Sequence, residues 1–141
     1  MQFTRRQTLI AGSGLIAATL LPISAIAASY PDVGVPDDFT GGSPVSSGDI
    51  TLDTPEIAEN GNTVPIRVVA PGAVEIRVYA MGNPLPGVTA VSFGALAASQ
   101  STSTRVRLAG TQDVLAIAKM ADGSFISTSN QVKVTIGGCG G

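Results

Sequence analysis

One cysteine, Cys139, stands two residues before the end of a chain that contains no histidine. A cysteine thiolate is a strong nucleophile and a natural point of covalent attachment, and its surroundings decide which use it has. Here the surroundings are Gly137-Gly138-Cys139-Gly140-Gly141. Glycine lacks a Cβ and populates positive φ freely, so Gly137, Gly138, Gly140 and Gly141 are expected to make 137–141 a flexible arm outside any core. The three residues from Ile136 to Cys139 can carry the sulfur roughly 10 Å past the last strand, at about 3.3–3.6 Å per extended residue. Such a pattern suits a thiol that is presented to something else.

The remaining inventory leaves that thiol without helpers. With no histidine there is no Cys–His pair, no imidazole-based triad and no histidine metal site. One cysteine cannot build a structural zinc site, and the dispersed carboxylates form no calcium loop. Asp37-Asp38 reads as solvated surface. Neither Gly41-Gly42 nor Gly137-Gly138 lies between a strand and a helix, as a phosphate loop would. A free cysteine has a pKa near 8.5, so only a few per cent is thiolate at pH 7. No basic residue lies closer in sequence than Lys133, and activation is expected from a partner's active site. The narrow glycine backbone would let the arm thread into such a site. No cofactor is expected, and no catalytic residue of the chain's own.

At the opposite end, Met1 to Arg6 is short and basic, with Arg5 and Arg6 adjacent. An apolar stretch from Leu9 to Leu21 follows, then Pro22 and the small residues Ala25-Ile26-Ala27. This order is that of an export signal cleaved before Ala28, and the paired arginines point to the twin-arginine route into the bacterial periplasm. The stretch is too short and too weakly apolar for a membrane span. Removal of 1–27 takes away two of eight basic residues and none of the ten acidic ones. The remainder is the size of one domain, acidic overall, with its cations scattered. Neither nucleic acid nor membrane is an expected partner. An unpaired cysteine in an oxidising compartment either bridges to another chain or has a task as a reactive thiol.

The elements that must position the arm read as β-strands. Residues 28–48, rich in proline and glycine, have no period and are expected to be an irregular lead-in. Residues 49–136 then carry short β-rich runs between turn signals. In Ala73–Met81, Val74, Ile76, Val78 and Ala80 share one face and Glu75, Arg77 and Tyr79 the other. In Ser101–Leu108, Val106 and Leu108 point in and Arg105 and Arg107 out. Val114–Met120 is apolar on both faces until Lys119, as a central strand would be. Asp122-Gly123 signals a hairpin into Phe125–Thr128, and Gln131–Ile136 closes the domain with Val132, Val134 and Ile136 inward. Seven or eight strands without a convincing helix predict an all-β fold, an immunoglobulin-like antiparallel β-sandwich without its disulfide.

At this point a resemblance becomes visible. The terminal run Val132-Lys133-Val134-Thr135-Ile136-Gly137-Gly138-Cys139-Gly140-Gly141 resembles that of SoxY, the sulfur-carrier family of bacterial thiosulfate oxidation. So do Pro55-Glu56-Ile57-Ala58-Glu59-Asn60-Gly61-Asn62-Thr63-Val64-Pro65, the segment from Arg105 to Val114, and Met120-Ala121-Asp122-Gly123-Ser124-Phe125. The resemblance implies that Cys139 holds the sulfur substrate covalently, as an S-thiosulfonate or persulfide. Implied partners are a SoxZ-like β-sandwich subunit forming a heterodimer and exported with this chain, a haem enzyme that couples thiosulfate to the cysteine, a sulfate-releasing hydrolase and a sulfane dehydrogenase. Relatives often carry a helical, lysine-containing segment where this chain has the Pro/Gly-rich stretch 28–48.

Two other readings compete. One is an exported structural β-sandwich that dimerises through a Cys139 disulfide. The other is a ubiquitin-like sulfur donor using the terminal Gly-Gly, which needs a cytoplasmic activation step that an export signal argues against.

Overall fold

Val114, Ala116, Ile117 and Ala118 are all buried because their strand lies in the middle of the larger of two sheets, covered on both faces. The computed structural model describes residues 34–137, all within one compact unit. In chain order this unit has a helix α1 (Pro36–Thr40), then strands β1 (Val45–Ser46), β2 (Thr51–Asp53), β3 (Ile57–Ala58), β4 (Val64–Val69) and β5 (Ala73–Ala80). Strands β6 (Gly87–Ser92), β7 (Ser101–Val106), β8 (Gln112–Met120) and β9 (Phe125–Val134) follow. The larger sheet runs β1-β9-β8-β5-β6, with β3 also on β9, and the smaller runs β2-β4-β7. Inward side chains of the two sheets, among them Val64, Val68, Ile76, Val78, Leu108, Val114 and Val132, make the main core. This is the expected sandwich, with aliphatic side chains and alanine in place of a tryptophan.

The hairpin at Asp122-Gly123 joins β8 to β9. Gly123 has φ of 87°, a value that disfavours any residue with a Cβ. Asp122 accepts from the Ser124 amide and hydroxyl at 2.9 and 2.6 Å, which holds its carboxyl below the usual carboxylate range. Beyond the turn, β9 runs unbroken for ten residues, where the sequence suggested two separate runs.

Four further expectations are corrected. A register shift between Ala73 and Glu75 puts Ala73 in the core and leaves Val74 exposed. Tyr79 lies on the face read for it, opposite Ile76 and Val78, yet it is fully buried there with Ile117 and Phe125, away from the main core, with Phe39 of α1 packed against them. The segment 28–48, expected to be irregular, contains α1 and β1. Pro36 presets the helix's first turn, and Gly41, at φ of 60°, ends it. Finally, β1 and β3 pair with β9 in parallel, as two short bridges on a sheet otherwise antiparallel.

Candidate functional site

Cys139, Gly138, Gly140 and Gly141 lie outside the described residues, as do Arg5, Arg6 and the whole of 1–33. Gly137 is the last residue described, so the site is the seat from which the cysteine-bearing tail departs.

That seat is built mostly by the backbone. On one edge of β9, Lys133 N donates to Glu56 O at 2.9 Å and Thr135 N to Ala58 O at 3.0 Å. The Thr135 hydroxyl adds a bond to Glu59 O at 2.9 Å. On the other edge, Val134 N donates to Thr111 Oγ1 at 3.0 Å. The turn at Asn60-Gly61 then closes over the end: Gly61 N donates to Ile136 O at 2.8 Å, while Leu108 N donates to Gly61 O at 2.7 Å. At about 0.5–1.5 kcal/mol net for each bond, the group holds 133–136 in one place with little apolar burial. Ile136, expected inward, is 67 % exposed, because β9 has already ended at Val134.

Gly137 is half-buried, and its Cα faces the Ala109 carbonyl oxygen so closely that a Cβ would collide with it. The sequence reading assigned Gly137 to the flexible arm. In the structure it is a packed contact, and glycine is needed for the close approach as well as for freedom.

The loop that receives Gly137 has its own support. Gln112 is buried, and its Nε2 donates to Asn83 Oδ1 at 2.9 Å and to Gly110 O at 3.1 Å. Its Oε1 accepts from Gly82 N at 2.8 Å. Asn83 Oδ1 also accepts from Ala109 N at 2.9 Å, and Asn83 Nδ2 donates to Arg107 O at 2.8 Å. Two side-chain amides therefore pin both sides of Ala109, the residue on which Gly137 rests. Sequence reasoning missed Asn83, Ala109, Thr111 and Gln112 as site residues. A signal existed: Gln112 stands at the start of a largely apolar strand, and a buried amide there must find partners.

A cleft of about 430 Å³ opens beside this loop, lined by Asn62, Asn83, Val88, Arg105, Val106 and Arg107. It contains no carboxylate. Among the described residues no group of three or more His, Cys, Asp or Glu side chains could hold a metal ion. No helix among them is long and apolar enough to cross a membrane. Chemically, the seat offers a fixed backbone exit, a cationic cleft and no acid–base pair.

A family model described as "Sulfur oxidation protein SoxY" matches residues 36–139, ending on Cys139. Among solved structures, the sulfur carrier protein SoxY from Chlorobium limicola f. thiosulfatophilum is 30 % identical with a TM-score of 0.62, over 71 % of this chain and 92 % of that one. A superoxide reductase (neelaredoxin) from Ignicoccus hospitalis is 17 % identical with a TM-score of 0.55, over 72 % of this chain and 94 % of that one. A putative superoxide reductase from Thermotoga maritima, also 17 % identical, has a TM-score of 0.53 over 64 % of this chain and 93 % of that one. The likeness to these two is one of fold. No curated protein sequence matches the chain.

Proposed function

The chain belongs to the SoxY family of sulfur carrier proteins, and from that premise we propose that Cys139 is the point at which the sulfur substrate is held. The observation that carries the reading is the family match, which runs through the sandwich and ends on Cys139, two residues beyond the seat at Gly137.

Loading couples the thiol to thiosulfate. The Cys139 thiol and the thiosulfate dianion lose one proton and two electrons and join through a new S–S bond. The product is Cys–S–S–SO3⁻, and a haem partner takes the electrons. Hydrolysis of the outer S–S bond then adds water, releases sulfate and a proton, and leaves the persulfide Cys–S–SH. A further partner oxidises that sulfane sulfur while it stays on the arm. This chain supplies the attachment atom and a narrow backbone, while the partners supply acid–base and redox chemistry. A SoxZ-like subunit completes the carrier, and the twin-arginine signal around Arg5 and Arg6 delivers the pair, already folded, to the periplasm.

The test combines mass and turnover. Intact mass of the protein from thiosulfate-grown cells is expected to show reductant-sensitive additions on Cys139, as a sulfane sulfur or an S–SO3 unit. Cys139→Ser is expected to abolish thiosulfate oxidation. Full turnover in the Cys139→Ser strain would favour the structural, disulfide-linked reading.

A further inference from the structure

The arm starts beside a cationic cleft, and its cargo is an anion. Two short connections join them. Asn62, which lines the cleft, follows Gly61, whose N–H is bonded to Ile136 O. Arg107, also in its lining, is two residues before Ala109, whose carbonyl meets Gly137. Gly138 and Cys139 add two residues, so the Cys139 Cα lies within about 7 Å of Gly137 at roughly 3.3–3.6 Å per residue. Arg105 and Arg107 both line the cleft, and both are exposed.

We propose that this cleft is a docking place for the chain's own loaded arm: the sulfonate on Cys139 folds back between Arg105 and Arg107, beside the Asn62 and Asn83 amides. The inference rests on the carrier reading above. Charge complementarity supports it, since Arg105 and Arg107 are two of only six cations after the signal, and they share a cleft with no carboxylate among the described residues that line it. Arginine is also suited to oxyanions, offering several N–H donors in one plane. The persulfide that remains after sulfate release has no sulfonate oxygens, so it loses this contact. Docking would thus separate two cargo states by their oxygen acceptors, holding the arm back while it carries the sulfonate and freeing it afterwards.

The experiment loads the full mature chain without any enzyme. The Cys139 thiolate attacks a central sulfur of tetrathionate and expels thiosulfate. The product is Cys–S–S–SO3⁻, and no external oxidant is needed. A second sample carries a neutral carbamidomethyl group on Cys139. In ¹H–¹⁵N spectra, the thiosulfonate is expected to shift the Asn62, Asn83, Val106 and Arg107 signals relative to the neutral cap. The shifts should disappear in R105Q/R107Q and at about 1 M salt, where the Debye length is about 3 Å. Unmoved signals elsewhere in that variant show that it remains folded, and a chain with R107Q alone gives a second, milder reading. Equal shifts with both caps, shifts confined to 134–141, or shifts that survive R105Q/R107Q would each overturn the docking proposal. None of these outcomes touches the carrier reading, which depends separately on Cys139→Ser in cells.

Discussion

The two ends of β9 are held by different physics. At the Phe125 end, the strand is fixed by packing. The Phe125 and Phe39 rings meet edge to face, with centroids 5.3 Å apart, and the Arg77 guanidinium lies 4.3 Å from the Phe39 centroid. Arg77 Nε in turn bonds Glu75 at 2.7 Å. At the Val134 end, hydrogen bonds accepted by Glu56, Ala58, Glu59 and Thr111 and one donated by Gly61 do the holding, and the next large apolar side chain, Ile136, faces water. Packing is non-directional and scales with area, whereas hydrogen bonds fix direction. The contrast assigns stability to the first end and the aim of the tail to the second.

That division can be broken by substitution. The largest stability effect is expected at the packed end: Phe125→Ala empties an aromatic site and should cost about 3 kcal/mol. Urea unfolding would measure it, and thiosulfate turnover per folded molecule should hold. Gln112→Ala is next. It deprives Gly82 N of its acceptor and removes a partner of Asn83, for about 1–3 kcal/mol, and here turnover should fall along with stability. Equal loss of turnover per folded molecule in both variants would end the division.

Gly137→Ala sharpens the contrast further. Its Cβ must push the tail off the Ala109 carbonyl, so turnover should drop while stability changes by about 1 kcal/mol or less. Unchanged turnover would show that the aim of the tail is irrelevant. The smallest effect concerns pH. The Tyr79 side chain is fully buried, and burial raises its pKa above the ordinary 10.0 against the opposing pull of the neighbouring Arg77 guanidinium. The folded protein therefore keeps this proton where the unfolded chain loses it. Stability from this group is intact below about pH 10 and falls as pH rises toward the folded value. Tyr79→Phe should flatten that alkaline loss, and an unchanged alkaline profile would remove Tyr79 from the account.

Much of the fold was legible from local pattern. Val114–Met120 reads as a central strand because both its faces are apolar, and Asp122-Gly123 reads as a turn because its backbone requires one. What escaped depended on distant partners. The burial of Tyr79 depends on Phe39, forty residues earlier, and the exposure of Val74 on a register shift against β8 that period-two counting cannot see. In the candidate site, the tail's composition was plain, but its seat was not. Asn83, Ala109, Gln112 and Gly61 meet only after folding, and each alone is an ordinary loop or strand residue. The segments 55–65 and 105–114, which carry the family resemblance, turn out to surround the exit of the tail.

The outer edge of β9 is covered piecemeal: β1 at one end, β3 at the other, and between them Asn130 Nδ2 donating to Leu52 O at 2.6 Å. An uncovered edge strand is a template for polymerisation, since its free amides and carbonyls accept a strand from another molecule. The longest of the described strands, β9, is thus interrupted as a template at both ends and near its middle. The opposite edge of the sheet, β6, is Gly87-Val88-Thr89-Ala90-Val91-Ser92, with no charge to repel a neighbour. Any strand-to-strand aggregation by the larger sheet therefore has one place to begin, and a single lysine at Thr89 is the change that would blunt it.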